Sequence, residues 1–321
     1  MTSGANPRPD DIAKGIGFIL ASTAAMAFGD AIVKLVSADL TVWQVFVARS
    51  AFAIPCLFAL ARWQGAHLRP KAAKWVFGRS LLLVLTWLAY YASLPVLNLS
   101  LAAVAVYTNP IITALLSALL LGERVSGRQW AGVALGFVGV AVILKPGTDA
   151  FSWAVLLPLA AAAFYSAAMI MTRGKCQHES PITLAIGLHV SFVATGAQAA
   201  VVLALAAVDR TTVASYPFLL DTWPRMAAED WGLMAFLGLL SAGFFLGVAR
   251  AYQIAPPQII GTFDYSYLVW AALLGMVFFS EVPDGMTLTG MVLISAAGLL
   301  VAGSGSRKTP SRLSSGQRSD D

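Results

Sequence analysis

Charge is what this sequence has least of. Only 12% of its 321 residues are charged, against about 25% in an ordinary soluble domain. With 58% hydrophobic residues and a mean hydropathy of +0.75, a disordered chain and a coiled coil are excluded. Soluble domains of this total length would need far more polar surface. Cysteine is scarce too. Cys56 lies in an apolar run and Cys176 in a short polar loop, a pattern that supports neither a disulfide framework nor a metal site. His67, His178 and His189 are far apart and no HExxH occurs. No GxxxxGK[ST] phosphate loop occurs either, so nothing supports ATP-driven pumping by this chain. What remains is a polytopic membrane protein.

A bilayer-spanning helix needs about 20 mostly apolar residues. Ten such runs are present, at 14–36, 41–61, 75–96, 99–121, 127–144, 152–172, 181–206, 231–253, 257–280 and 285–303. Ser126-x-x-Gln129 is a capping box at the start of the fifth run. Ser180-Pro181 and Pro256-Pro257 place proline at the first helical position of the seventh and ninth. Ala25-Met26-Ala27 imitates a signal-peptide cleavage site, but the run is long and carries Asp30 and Lys34. With the N-terminus in the cytoplasm, sixteen Lys and Arg fall on the inner side (Arg79 among them) and four on the outer side. That is a strong positive-inside bias. The expectation is an all-α membrane protein with both termini cytoplasmic in the cell's inner membrane. Residues 1–13 and a disordered tail, 304–321, flank two five-span halves, 14–146 and 147–303.

The halves resemble each other. A shift of 158 residues brings spans 3–5 onto spans 8–10 without a gap: Tyr107 falls on Tyr265, Glu123 on Glu281, Gly127 on Gly285 and Gly132 on Gly290. An odd number of spans per half makes the repeats inverted. That is a transporter signature, with the substrate site near the midplane between the halves. The stretch from Ala102 to Leu144 carries Tyr107-Thr108-Asn109-Pro110, Leu121-Gly122-Glu123-Arg124, Gln129-Trp130-x-Gly132 and Gly136-x-x-Gly139. It resembles the EamA domain of the drug/metabolite transporter superfamily, and within it the YddG-like amino-acid exporters. The second copy keeps Ser280-Glu281 and has Leu268 in place of the proline. The resemblance implies ten helices around a central cavity, alternating access, and export of small metabolites.

Depth follows from the helical rise of about 1.5 Å per residue. Phe28, Trp87, Tyr165 and Phe245 then lie near the midplane, each roughly 18–21 Å into its span. Such rings can stack on a planar or apolar substrate, or simply pack. Tyr91 shares a span with Trp87. Tyr107 and Tyr265 stand on opposite sides of the midplane and would form upper and lower constrictions, or pack. Pro110 frees a backbone carbonyl inside its span. With Asn109 beside it, it offers polar groups or a bend point.

Ionisable residues inside a bilayer are costly and default to functional candidates. Asp30 can pair with Lys34, four residues on, or with Arg49 at similar depth. Asp264 and His189 share a level on the inner side. Asp264 or Asp30 would bind a substrate ammonium group or relay a proton, or else form a static pair. The best-supported function is a secondary transporter exporting amino acids, aromatic or apolar ones first, through a midplane cavity. A sugar, nucleotide-sugar or cationic-drug exporter is the alternative. An intramembrane enzyme would need a nucleophile beside a base, which the sequence does not offer. No cofactor, metal or nucleic-acid partner is expected. The partners are a small-molecule substrate and the lipid bilayer, and the choice between monomer and homodimer stays open.

Overall fold

In the computed structural model the described residues are 9–66, 68–121, 127–144, 152–206 and 208–303. Every regular element among them is helical. The first half gives α1 (Pro9–Val36), α2 (Val42–Gln64), α3 (Ala73–Ser93), α4 (Leu99–Val106), α5 (Asn109–Leu121) and α6 (Gly127–Leu144). A 3-10 turn at Trp153–Val155 leads into α7 (Leu156–Lys175) and α8 (Pro181–Ala206). Two short helices, α9 (Arg210–Ser215) and α10 (Pro217–Leu220), occupy the longest loop. The chain then forms α11 (Ala228–Ile254), α12 (Pro257–Asp264), α13 (Ser266–Phe279) and α14 (Gly285–Gly303).

Helices stand at each of the ten apolar runs. Among the described residues, seven stretches are long and apolar enough to cross a membrane, and three further apolar helices are shorter. The outward faces carry bare hydrophobes such as Leu119, Leu205 and Val277. A soluble protein would not tolerate that surface, whereas lipid requires it. This is a multi-pass membrane protein.

Local chemistry sets the ends. At the start of α2 the Thr41 hydroxyl accepts from the Gln44 N–H at 3.2 Å, and the Gln44 side chain accepts from the Thr41 N–H at 3.0 Å. This reciprocal box satisfies two orphan donors of the first turn. Gly65, at φ 61°, ends the helix in the left-handed region. The two prolines expected to open helices do so at Pro181 and Pro257. Helix α1 starts at Pro9 rather than near residue 14, again with proline at its first position. The Ser126 cap, Glu123, the boundary near 146 and both chain ends lie outside the described residues.

The fourth and ninth runs are each broken into two helices. The first break is at Tyr107 and Thr108, just before Pro110, whose missing N–H cannot support a continuous ladder. The second is at Tyr265, which the 158-residue shift sets on Tyr107, and needs no proline.

Helices of the two halves pack mainly on one another. The pairs are α1 with α11, α3 with α7, α2 with α8, α6 with α14, α4 with α13 and α5 with α12. Exchanging the halves carries α1–α11 onto α7–α3 and leaves α2–α8 and α6–α14 in place. Helix α2 is clamped from two sides by glycines. A Cβ at Gly196 of α8 would come within 2.9 Å of the Trp43 carbonyl, and one at Gly238 of α11 would run into the Arg49 carbonyl. Small residues allow such close backbone approach in membranes.

Gly238→Ala is therefore expected to destabilise the protein by about 1–3 kcal/mol through overpacking. Gly243→Ala, on the open face of the same helix with nothing within 4 Å, is expected to leave stability unchanged or slightly raised. Thermal unfolding in detergent distinguishes them, and equal melting temperatures for the two variants would contradict the clamp.

Candidate functional site

An aromatic cavity with a few polar side chains in its walls lies where α1, α3, α4, α5, α7 and α13 meet. Its walls are Met26 and Asp30 from α1; Thr86, Trp87 and Tyr90 from α3; Val106, Tyr107 and Asn109 at the broken span; Tyr165 from α7; and Tyr267 from α13. Helical spacing explains the grouping. Met26 and Asp30 are four apart, and Trp87 and Tyr90 three apart, so each pair shares a face.

The organising contact is a carboxylate held by phenols. Tyr267 donates to Asp30 Oδ2 at 2.6 Å, and the Tyr90 and Tyr267 hydroxyls share a hydrogen bond of 2.8 Å. The Tyr267 ring stacks on Tyr107, with centroids 4.7 Å apart and planes 18° from parallel. Trp87 packs edge-on against Tyr90 and Phe245. Ser166 of α7 donates to the Asn109 carbonyl at 2.9 Å and so covers a backbone group at the helix break. Thr23 and Ser266 bond at 2.8 Å at the corresponding junction of α1 with α13.

Several buried polar atoms in these walls have no hydrogen-bond partner among the described residues: Asp30 Oδ1, Trp87 Nε1, Asn109 Oδ1 and the hydroxyls of Tyr107 and Tyr165. Buried polar groups are nearly always paired, and leaving one unpaired costs about 1–3 kcal/mol. Such a concentration around one cavity makes it the candidate ligand site. The cavity holds about 20 Å³, scarcely more than a water molecule needs.

Two further clusters flank it. In the first, Arg49 donates to the Tyr91 hydroxyl at 2.8 Å, and His189 Nδ1 lies 3.0 Å from Ser50 Oγ. Phe245 packs on His189 at 5.5 Å. In the second, Tyr252 donates to Asp264 Oδ2 at 3.3 Å, and Tyr165 lies within electrostatic reach of Asp264. The Asp264 Oδ1 and the Tyr265 hydroxyl have no partner among the described residues.

The structure thus brings Asp30, Trp87, Tyr107, Asn109 and Tyr165 to one cavity. Tyr91, Phe245 and Arg49 stand directly behind Trp87. Pro110 holds the second position of α5. Other expectations are corrected. Phe28 points away, packing edge-on against Phe236 and Phe278 at 6.0 Å. It is two residues from both Met26 and Asp30, so it lies about 200° round the helix from them. Tyr107 and Tyr265 are not separate constrictions, because their rings meet at 6.4 Å beside the two helix breaks. Lys34 pairs with Glu281 at 2.8 Å and not with Asp30. Asp264 and His189 belong to different clusters. Arg79, counted with the inner-side cations, is buried, and its Nε donates to Thr172 at 2.6 Å.

Tyr90, Tyr252 and Tyr267 were missed. The three-residue step from Trp87 points to Tyr90. Tyr252 and Tyr267 reach their carboxylates only through tertiary packing, which no local spacing reports. The Ser50–His189 pair was also missed. It sets a hydroxyl beside a base, but His189 Nε2 has no partner among the described residues, so the third group that orients a catalytic base is lacking there.

Residues 13–145 match the EamA-like transporter family. A riboflavin transporter of Rhizobium johnstonii is 32% identical over 67% of this chain and 64% of its own length. An S-adenosylmethionine uptake transporter of Rickettsia felis is 25% identical over 89% of this chain and 92% of its own. A pseudopaline exporter of Pseudomonas aeruginosa is 27% identical over 88% and 94%. The chain spans about three fifths of the length of the riboflavin transporters it matches. A crystal structure with 19% identity superposes at a TM-score of 0.64, covering 92% of this chain and 98% of that one, and so shares its fold. Over residues 13–145 the chain is thus similar to the EamA-like transporter family, and over most of its length to these curated transporters.

Proposed function

We propose that the protein is a secondary transporter that carries a small metabolite across the cell's inner membrane by alternating access. Its ten apolar runs act as ten spans in two inverted five-span halves, with both termini in the cytoplasm. The observation that carries this reading is the buried cavity at the seam of the halves, with its unpartnered polar atoms and stacked rings. Discontinuous spans beside such a cavity recur in transporters, where broken helices bring backbone groups to the substrate. Here the breaks at Tyr107 and Tyr265 adjoin the cavity.

The substrate range is drawn wider than aromatic and apolar amino acids, although these stay within it, as does the likeness to YddG-like exporters. The relatives' names cover riboflavin, S-adenosylmethionine and pseudopaline, and include both uptake and export. Each of these cargoes is far larger than the 20 Å³ of the cavity, so loading requires the helices around it to move apart. Asp30 and Asp264 sit in two neighbouring tyrosine clusters and are the candidates for coupling transport to protons.

Each end of the seam has a polar latch. At the outer end Lys34 pairs with Glu281 at 2.8 Å and donates to the Leu97 carbonyl at 2.8 Å. Glu281 also accepts from the Leu99 N–H at 2.8 Å, at the start of α4. At the inner end Arg173 of α7 donates to the Gln253 carbonyl of α11 at 3.0 Å, between the α3–α7 and α1–α11 pairs. Opening to one side breaks one latch and keeps the other.

Three measurements test this reading. In liposome counterflow across amino acids, riboflavin, S-adenosylmethionine, nucleotide sugars and cationic drugs, at least one compound should exchange. Trp87→Ala and Tyr165→Ala should each lower that rate by tenfold or more while the proteins still elute as single species; unchanged rates in both would remove the cavity assignment. Asp264→Asn should alter the response to an imposed pH gradient if Asp264 is the relay, and a response identical to wild type excludes it. In a variant with Cys56 and Cys176 replaced, Thr86→Cys should react several-fold faster with an external, impermeant thiol reagent once Glu281 is changed to Ala. Equal reactivity would show that Glu281 latches nothing.

A further inference from the structure

Arg49 is the charged group that the cavity reading leaves unexplained. It lies in the middle of α2 with 0% of its surface exposed. Four rings surround its guanidinium carbon, with centroids at 4.4 Å (Phe192), 5.3 Å (Phe46), 5.4 Å (Tyr91) and 5.9 Å (Trp87). Ring faces stabilise a cation but leave its N–H donors without an oxygen. Only Nη1 is used, donating to Tyr91, while Nε and Nη2 have no partner among the described residues.

The pattern of those vacant donors is specific. Nε and Nη2 occupy one edge of the guanidinium, and their two parallel N–H bonds match the two oxygens of a carboxylate. A buried guanidinium with that edge unfilled is a costly arrangement. Asp30 supplies its electrostatic counterpart but makes no ion pair with it, and Asp30 itself keeps one oxygen unpartnered. Two opposite and incompletely satisfied charges therefore flank Trp87, which packs on the Arg49 side and lines the cavity on the Asp30 side. The glycine clamp on α2 fixes the backbone of Arg49, so a partner has to come to it.

We propose that Arg49 is the anion subsite of the transport site and that the substrate class is a zwitterionic amino-carboxylate. The carboxylate takes the Nε–Nη2 edge once the Trp87 and Tyr91 rings move aside. The cationic group faces Asp30, and the ring or apolar part stacks on Trp87 and Tyr107. This rests on the transporter reading above and narrows it to a substrate class.

The test is proteoliposome counterflow with paired probes. One pair is S-adenosylmethionine with its decarboxylated form, another is L-phenylalanine with L-phenylalaninamide, and riboflavin serves as a substrate without a carboxylate. Wild type should prefer the acid of a pair by about tenfold or more, the scale of a lost charged hydrogen bond. Arg49→Gln should bring the acid-to-partner ratio to about one, and Arg49→Lys, which keeps the charge but loses the fork, should lower it less. If Arg49→Gln does not fold, Arg49→Lys decides: an unchanged ratio overturns the proposal. So does an equal loss on both members of a pair, or a wild type without preference. Exchange of riboflavin but of no amino-carboxylate overturns the Arg49 assignment and leaves the transporter reading standing. Exchange of no probe, here or in the wider screen, removes both.

Discussion

The Asp30 carboxylate, held by Tyr267 inside an apolar bundle, is the contact on which the rest of the site depends. A charge or polar group there has no water to fall back on, so its partners must come from other helices. Tyr267 comes from α13 and Tyr90 from α3, and Asp30 from α1. One short network thus ties two helices of the first half to one of the second. It draws Trp87 into the wall and sets the stacked Tyr107 ring against Tyr267. This network is the polar centre of the cavity wall, with Thr23–Ser266 and Ser166–Asn109 at the helix breaks beside it, and a solute with charge or hydrogen-bonding groups is held best where such groups gather.

Motion follows from the same balance. The bundle is sealed above and below by few polar contacts, while its outer faces are apolar and indifferent to small rearrangements in lipid. The latch of Lys34 and Glu281 is one ion pair and two backbone hydrogen bonds, few contacts beside the packing along the helix pairs. In the proposed transporter, few polar contacts at each end and extensive packing along helix pairs such as α3–α7 and α1–α11 let those pairs separate at one end at a time.

Much of this was legible in the sequence, for identifiable reasons. The apolar runs and the helix starts at Pro181 and Pro257 are local properties, set by hydropathy and by proline's fixed φ. The break at Tyr107 could be read from Pro110. Its mate at Tyr265 could not be read that way, since Leu268 stands where the proline would be. Depth along a helix could be counted, and it brought Trp87 and Tyr165 to the right level. Direction around the helix could not, which is why Phe28 shared the level but faces the periphery. Charge pairing failed most clearly. Spacing offered Asp30 to Lys34, yet a basic side chain at a helix end reaches whatever acid the fold delivers, here Glu281 from 247 residues further along. Arg79 sits near the start of its run and so counted with the inner-side cations, but the face it occupies turns towards Thr172.

The central claim is that substrate binds at the seam, in the cavity organised by Asp30 and Trp87. The most direct measurement is an experimental structure of the protein with a compound it is shown to exchange. The expected result is the compound between α1, α3, α7 and α13, in contact with the Trp87 ring and within hydrogen-bond reach of Asp30. A compound held elsewhere, with the Asp30, Tyr90 and Tyr267 network untouched, would contradict it.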